Sequence, residues 1–514
     1  MRCTRSRWLA GISALAIALT LGMAGWVGAT KRPRYGGTLR VQLHVASLSL
    51  DPREWKAGSV TAADSERLAS LVYERLVTLD EFGRFQAVLA TEWSHDGAAR
   101  NWQFKIRSGV KFSDSSALTA KDVAAALQPL LPAGQTITSS ESSVTIHSPR
   151  AVPDLLQQLA SGRYFVFRAQ GGNAPLLGTG PFVLAETTPP TPSEMNPSVL
   201  KPARMKFRAN EEHWAGRPFL DGVDVTLGDP PLRQILNLQV GRAEVIDIPP
   251  DLVRKAHQEN LRVWSSPPET LLALRFDDGQ PSTQDARLRE ALDLALDRQT
   301  MASVLLQRQA QPAESLLPQW LSGYAFLFGS AMNLDRAKEL RAALPANVAG
   351  GAEPLRMRVD AVGDLMKLLG ERVAINARQG NLSVQLMPHA ASGTGATGPA
   401  GLHLFAWHYD SLSPRVQLEE MAQYLRAEAG SEAANESTNP EKLFADEQRL
   451  LGTRQMLPLV ALPEYVGLAS NVRNWSVAPS GEWRLADVWL DSGEAAASNG
   501  DSSGGRNGAQ GVHP

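Results

Sequence analysis

Apolar and polar positions alternate from Thr38 to Val45, where Leu39, Val41, Leu43 and Val45 predict a strand with one buried face, opened by Tyr35-Gly36-Gly37. From about Ala63 to Val77 the period changes, and Leu68, Leu71, Val72 and Leu76 form a stripe at helical spacing. Trp102, Phe104 and Ile106 alternate again as a strand. Thr119 with Asp122 reads as a capping box for a helix carrying Val123, Leu127 and Leu130. A Gly178-Thr179-Gly180-Pro181 turn and a Pro-rich stretch from Thr188 to Pro202 precede strand-like runs near Val223 to Leu227 and Glu244 to Ile248. Asp285 is the expected N-cap of an amphipathic helix reaching Leu306, with Leu288, Ala291, Leu292, Ala295 and Leu296 on its apolar face. Residues 390 to 401, rich in Gly, Ala, Ser and Thr, predict a loop before a strand at Leu402 to Trp407. The stretch from Ser492 to Pro514 lacks bulky apolar residues and reads as a disordered tail. The pattern is mixed α/β, with no repeat of fixed period.

At 514 residues, 43% hydrophobic and 20% charged, the chain has the composition of a soluble globular protein large enough for several domains. Its net charge is −2 and its basic residues are dispersed, which argues against nucleic acid and against a polybasic membrane patch. Arg2, Arg5 and Arg7 precede an uncharged run from Trp8 to Thr30, the layout of an export signal over residues 1–29. Val27-Gly28-Ala29 fits a cleavage site that makes Thr30 the first mature residue; Ala24 is a second candidate, and a retained anchor is the alternative. The only cysteine, Cys3, precedes the apolar run instead of following it, so a free periplasmic protein is expected and a lipoprotein is not. Once the leader is removed, disulfides and cysteine-held metals are excluded.

Enzyme signatures are missing: there is no G-x-S-x-G elbow, H-E-x-x-H helix, P-loop or glycine-rich dinucleotide fingerprint. Of the nine histidines only His403 and His408 lie close in sequence, and five residues apart on a strand they point to opposite faces. No catalytic residue, metal site or cofactor is predicted.

Several runs in order resemble the peptide/nickel-type extracellular solute-binding proteins of ABC importers, family 5. They include Tyr35-Gly-Gly-Thr-Leu-Arg-Val41, Ser49-Leu-Asp-Pro52, Leu71-Val-Tyr-Glu-Arg-Leu-Val77 and Leu89-Ala-Thr-Glu-Trp93. Trp102 to Phe112, Leu118 to Val123, Gly178 to Phe182, Asn210 to Pro218, Leu238 to Asp247, Asp285 to Leu292 and Asp297-Arg298 continue the series, which spans about residues 35 to 490. The resemblance implies a two-lobed, periplasmic-binding-protein-like clamp of class II with an extra subdomain inserted in lobe one. On that scheme lobe one is 35–52, 178–272 and 462–490, the inserted subdomain 53–177, lobe two 273–461, and the tail 492–514. It also implies a non-enzymatic receptor, monomeric, that passes a short peptide or similar small solute to the permease subunits of an importer.

In peptide-binding members a Trp-x-x-Asp element supplies the carboxylate that pairs with the peptide amine, and Trp407-His408-Tyr409-Asp410 matches it. By resemblance Asp410 is the leading ligand-binding residue, with Trp407, His408, Tyr409 and Trp55 as further candidates. Burying an ammonium in a cleft needs such a counter-charge; an aspartate at the end of a strand is also simply a good structural residue. Tyr73, Trp93, Trp102 and Trp214 read as core aromatics. The chain departs from the pattern at Ser413, where many relatives are acidic, at Ser113-Asp114-Ser115, where His-Asp-Gly is usual, and around Phe276-Asp277-Asp278. Those departures keep other readings open: a receptor for a chelated metal, an opine or an oligosaccharide, an orphan sensor or scaffold, or an unrecognised hydrolase.

Overall fold

The Thr38–Leu43 strand forms as its alternation predicts, with Leu39, Val41 and Leu43 fully buried. In the computed structural model the described residues are 32–491, apart from 81, 171–175, 193–199, 278–280, 325–327, 330–331, 346–353, 361–363, 388–399 and 426–438. The predicted leader, the tail, most of the 390–401 loop and the middle of the Pro-rich stretch lie outside them.

The frame is a mixed sheet with helices against it. From one edge its order is Val384–Leu386, Leu355–Val359, Leu402–His408, Arg262–Phe276, Met456–Leu468, Val245–Asp247, Thr38–Leu43, Gly222–Leu227, Ala203–Ala209 and Phe182–Thr188, with Gln311–Pro312 added beside Met456–Leu468. Thr38–Leu43 runs parallel to both its neighbours, whereas Arg262–Phe276 is antiparallel to both of its own. A separate sheet formed by Ala90–His95, Asn101–Ile106, Ser143–His147 and Thr136–Ser139 carries its own core of Phe104, Phe112, Val144 and Ile146.

Two long strands tie the halves of the main sheet together. Arg262–Phe276 pairs at its start with Tyr465 to Leu468, next to Val245–Asp247, and at its end with Met456 to Leu462, next to Leu402–His408. Between these stretches the register breaks at Ser265/Pro268 and again at Pro268/Thr270. Pro267, Pro268 and Pro463 have no N–H to give the ladder, so the two strands are weakly coupled at this point. On the far side, Leu272 and Leu274 face one core and Leu271 and Ala273 another, so helices cover both faces and the strand reads as a continuous apolar run. The near side has a core of its own, built on Leu39, Val41, Leu68, Phe165, Phe207 and Val223.

Two predicted helices differ. The first runs Val60–Val72, earlier than expected, and stops because Gly180 N–H takes the Val72 carbonyl at 2.8 Å. A Cβ at Gly178 would lie 1.9 Å from that same oxygen, and neither Gly178 nor Gly180 is in the left-handed region. Close approach, not turn geometry, requires these two glycines. The helix is also buried on every side from Ala62 to Val72, including Asp64, Ser65, Glu66, Arg67 and Ser70. The second covers only Ala286–Ala295, capped by Asp285 as predicted. Leu296 is extended, and Asp297 accepts the Thr300 N–H to start a new short turn, a local bond that competes with helix continuation. The Thr119/Asp122 capping box is present on Ala120–Leu127.

Candidate ligand-binding site

The Leu402–His408 strand ends where the two halves meet, and this end is fixed by contacts from both. Trp407 is buried, its Nε1 donating to Gln417 Oε1 at 3.1 Å, and Gln417 Nε2 in turn donates to Asp410 Oδ1 at 2.8 Å. The indole thus orients the amide that orients the carboxylate. The His408 N–H donates to the Gly58 carbonyl at 2.9 Å, and a Cβ on Gly58 would fall 2.5 Å from the Trp407 ring. Gly162 makes the matching approach, since its Cβ would lie 2.6 Å from the Asp410 carbonyl oxygen.

Charged pairs cross the same seam. Arg163 holds Glu420 at 2.6 Å, and Asp154 accepts from Ser413 Oγ and from Arg415 at 3.2 Å. Ser413 therefore serves a buried aspartate of the opposite half. It also caps Pro414–Tyr424 by accepting from the Val416 N–H.

Asp410 is partly buried, and burial raises its pKa against the opposing pull of Gln417 and Arg163. Glu66 and Glu420 lie within electrostatic reach and are each pushed up to about 8. Burial is the first cause; Asp410 reinforces it, while Arg75 and Arg163 respectively oppose it. Arg75 is saturated, pairing with Glu66 and Glu482, donating to the Gly162 carbonyl at 3.0 Å and lying 4.0 Å from the Phe165 ring centroid. Glu420 Oε2 is buried without a hydrogen bond. Three carboxyl groups gathered at one seam thus resist ionisation, burial being the first cause for each.

The other sequence candidates occupy different roles. Tyr409 is buried, with its hydroxyl donating to the Leu316 carbonyl at 2.6 Å. His408 is buried beside Arg67, and burial together with that cation holds its pKa down at about 3, so it is neutral. Trp55 is partly buried, donates to the Ser49 carbonyl at 2.9 Å and meets Phe165 edge-on. His403 lies on the other face of the strand, at 3.0 Å from Asp360. Glu66, Arg163, Gln417 and Glu420 were not singled out from the sequence. Each reads there as an ordinary polar residue on a helix or loop, and only the all-buried character of Val60–Val72 marks one of them. A cavity of about 260 Å³ lined by Glu74, Arg75, His213, Trp214 and Trp483 lies within the first half and does not include Asp410.

An α/β clamp of this kind defines a periplasmic-binding-protein-like receptor. Residues 84–424 match the bacterial extracellular solute-binding proteins, family 5, and the chain belongs to that family, whose members bind solutes and are not enzymes. The nickel-binding periplasmic protein of Escherichia coli is 24% identical over 360 residues, covering 62% of this chain and 66% of that protein. A probable di/tripeptide-binding protein 5 of Pseudomonas aeruginosa is 23% identical over 327 residues, covering 57% and 61%. The chain thus spans under two thirds of the length of these curated relatives. The fold matches the periplasmic binding protein DppA of Helicobacter pylori in complex with the peptide STSA at a TM-score of 0.73 and 17% identity, over 89% of this chain and 99% of that one. Among the described residues no helix is long and apolar enough to cross a membrane, and no group of three or more His, Cys, Asp or Glu is placed to hold a metal ion.

Proposed function

We propose that this protein is the periplasmic solute-binding component of an ABC importer and captures short peptides by their N-terminal amine, with Asp410 as the counter-charge. The observation that carries this reading is the position of Asp410: at a strand end, on the seam between halves, aimed by Gln417 and set among carboxyl groups that burial keeps from ionising freely. An α-ammonium entering there neutralises the charge that the protein alone cannot. Trp407 and Tyr409 act as anchors that hold the carboxylate in place, His408 as a neutral packing residue, and Trp55 as support for the facing wall. On this reading the strand crossover at 265–270 is the hinge between the lobes, where the ladder register breaks. A ligand touching both lobes favours the closed clamp, which the permease subunits read as occupancy.

Calorimetry with di- to tetrapeptides tests this. Free-amine peptides are expected to bind at micromolar affinity or tighter, with a loss of over about 100-fold in Asp410→Ala, as for removing one partner of a buried charge pair. Equal binding of N-acetylated peptides would overturn the amine mechanism. A second reading, a chelated metal, is favoured by the similarity to the Escherichia coli nickel-binding protein. Native mass spectrometry and elemental analysis of freshly purified protein separate the two.

A further inference from the structure

A second buried charge cluster sits at the strand crossover, where the Tyr409 N–H donates to the Glu269 carbonyl at 3.0 Å. Arg67 of the Val60–Val72 helix pairs with Asp64 at 2.8 Å and Glu464 at 2.8 Å, and lies 3.5 Å from Glu269. Glu269 and Glu464 belong to the two long strands and lie within the stretch where the register breaks, between Ser265 and Thr270 on one strand and Leu462 and Tyr465 on the other. Their side chains are only 9% and 12% exposed. Glu269 Oε2 and Glu464 Oε1 are buried without a hydrogen-bond partner. The remaining charges facing this space are Asp247, 2.8 Å from His44, and Glu66, which feels Arg67 but has Arg75 as its own partner, while His408 reaches it from the Leu402–His408 strand.

The charges do not balance. Arg67 and a protonated His44 face four carboxylates, Asp64, Asp247, Glu269 and Glu464, and His408 is neutral. His44 is raised to about 9, chiefly by its hydrogen bond to Asp247, so its charge is already counted. An uncompensated carboxylate in such a space is costly and binds a proton instead. Burial accordingly raises Glu269, lifts Glu464 well above the ordinary range and takes Asp64 to about 6. Every element of the crossover contributes to this cluster, so opening the clamp at the crossover hydrates it.

We propose that Arg67, Glu269 and Glu464 form a proton-operated latch on the hinge strands, in which a proton shared by the two glutamates favours the closed clamp over the open one. The closed state holds the proton more tightly than the hydrated open state. Closure is therefore favoured in acid and lost as the pH rises through the closed-state pKa. In a periplasm that equilibrates with the outside, acidic medium would predispose the receptor to closure before any solute binds. The latch goes beyond solute capture and does not depend on which solute is bound.

The test uses the full chain without ligand, with Cys3→Ser, spin labels at Leu236→Cys on one half and Leu368→Cys on the other, and interspin distances measured from pH 5 to 8. The wild-type background is expected to shift toward the longer distance as the pH rises, the open-to-closed ratio growing by up to about tenfold per pH unit. Glu464→Gln is expected to change less than about threefold over the range, and Glu269→Gln serves where the first variant does not fold. Glu447→Gln, which alters a buried carboxyl that accepts from the Leu316 and Leu317 N–H groups and does not cross the seam, keeps the wild-type response. A wild-type distance independent of pH would overturn the proposal. So would a full pH response in both latch variants, or a response abolished by Glu447→Gln alone. No peptide is present, so these outcomes are separate from the fate of the amine-capture reading.

Discussion

Glu447 offers a direct measurement of how burial and hydrogen bonding compete in this protein. It lies fully buried on the Pro440–Gly452 helix, where Oε1 accepts the Leu316 N–H at 2.6 Å and the Leu317 N–H at 2.9 Å. Its second oxygen is buried without a hydrogen bond. Burial raises its pKa from 4.5 to about 7 despite those two donors, so the ionised folded form is disfavoured by about 3 kcal/mol. With a folded pKa above the unfolded one, this stability is fully present below pH ~4.5 and is lost as the pH rises through about 7. Glu447→Gln keeps the accepting oxygen and removes the charge. It is expected to match the wild type near pH 5 and to exceed it at pH 8.5 by about 2–3 kcal/mol in urea unfolding, or by on the order of 5 °C in midpoint. Glu447→Leu removes the acceptor and orphans two buried N–H groups, and is expected to cost about 2 kcal/mol or more at pH 5. A Glu447→Gln variant that is destabilised more at pH 8.5 than at pH 5 would refute the reasoning.

Gly58→Ala separates lobe stability from closure. At φ 70° an alanine costs about 1 kcal/mol in either state, whereas its clash with the Trp407 ring arises only when the halves meet and costs about 1–3 kcal/mol. The expected result is a small loss in melting temperature and a shift toward longer inter-lobe distance in spin-label measurements; an unchanged distance would count against a Gly58–Trp407 contact across the seam. Ser115 occupies φ 65° at an exposed turn, a conformation that favours glycine, so Ser115→Gly is expected to raise stability by up to about 1 kcal/mol, less the lost hydrogen bond to Glu212. Thermal melting measures that gain, and a lower midpoint would show that the Glu212 bond outweighs the strain.

Much of the scaffold was legible in the sequence because it is written in local terms. The Leu39, Val41, Leu43 alternation, the Thr119/Asp122 box and the Asp285 cap each depend on neighbours a few residues away, and each appears as read. The family followed from short runs that specify turns and core faces. The Trp407–Asp410 element could be selected by resemblance, but its surroundings could not be read from the chain. Glu66 and Arg67 look like the solvent face of an amphipathic helix until the Val60–Val72 helix is found buried on all sides. Gly178 and Gly180 look like turn residues until the carbonyl of Val72 is seen against them. Seam and latch bring together side chains about 200 to about 400 positions apart, such as Arg67 with Glu269 and Glu464, and Arg75 with Glu482. Periodicity records which residues leave water; only the folded molecule decides which charges they meet there, because a buried charge takes its energy from partners that the sequence does not place beside it.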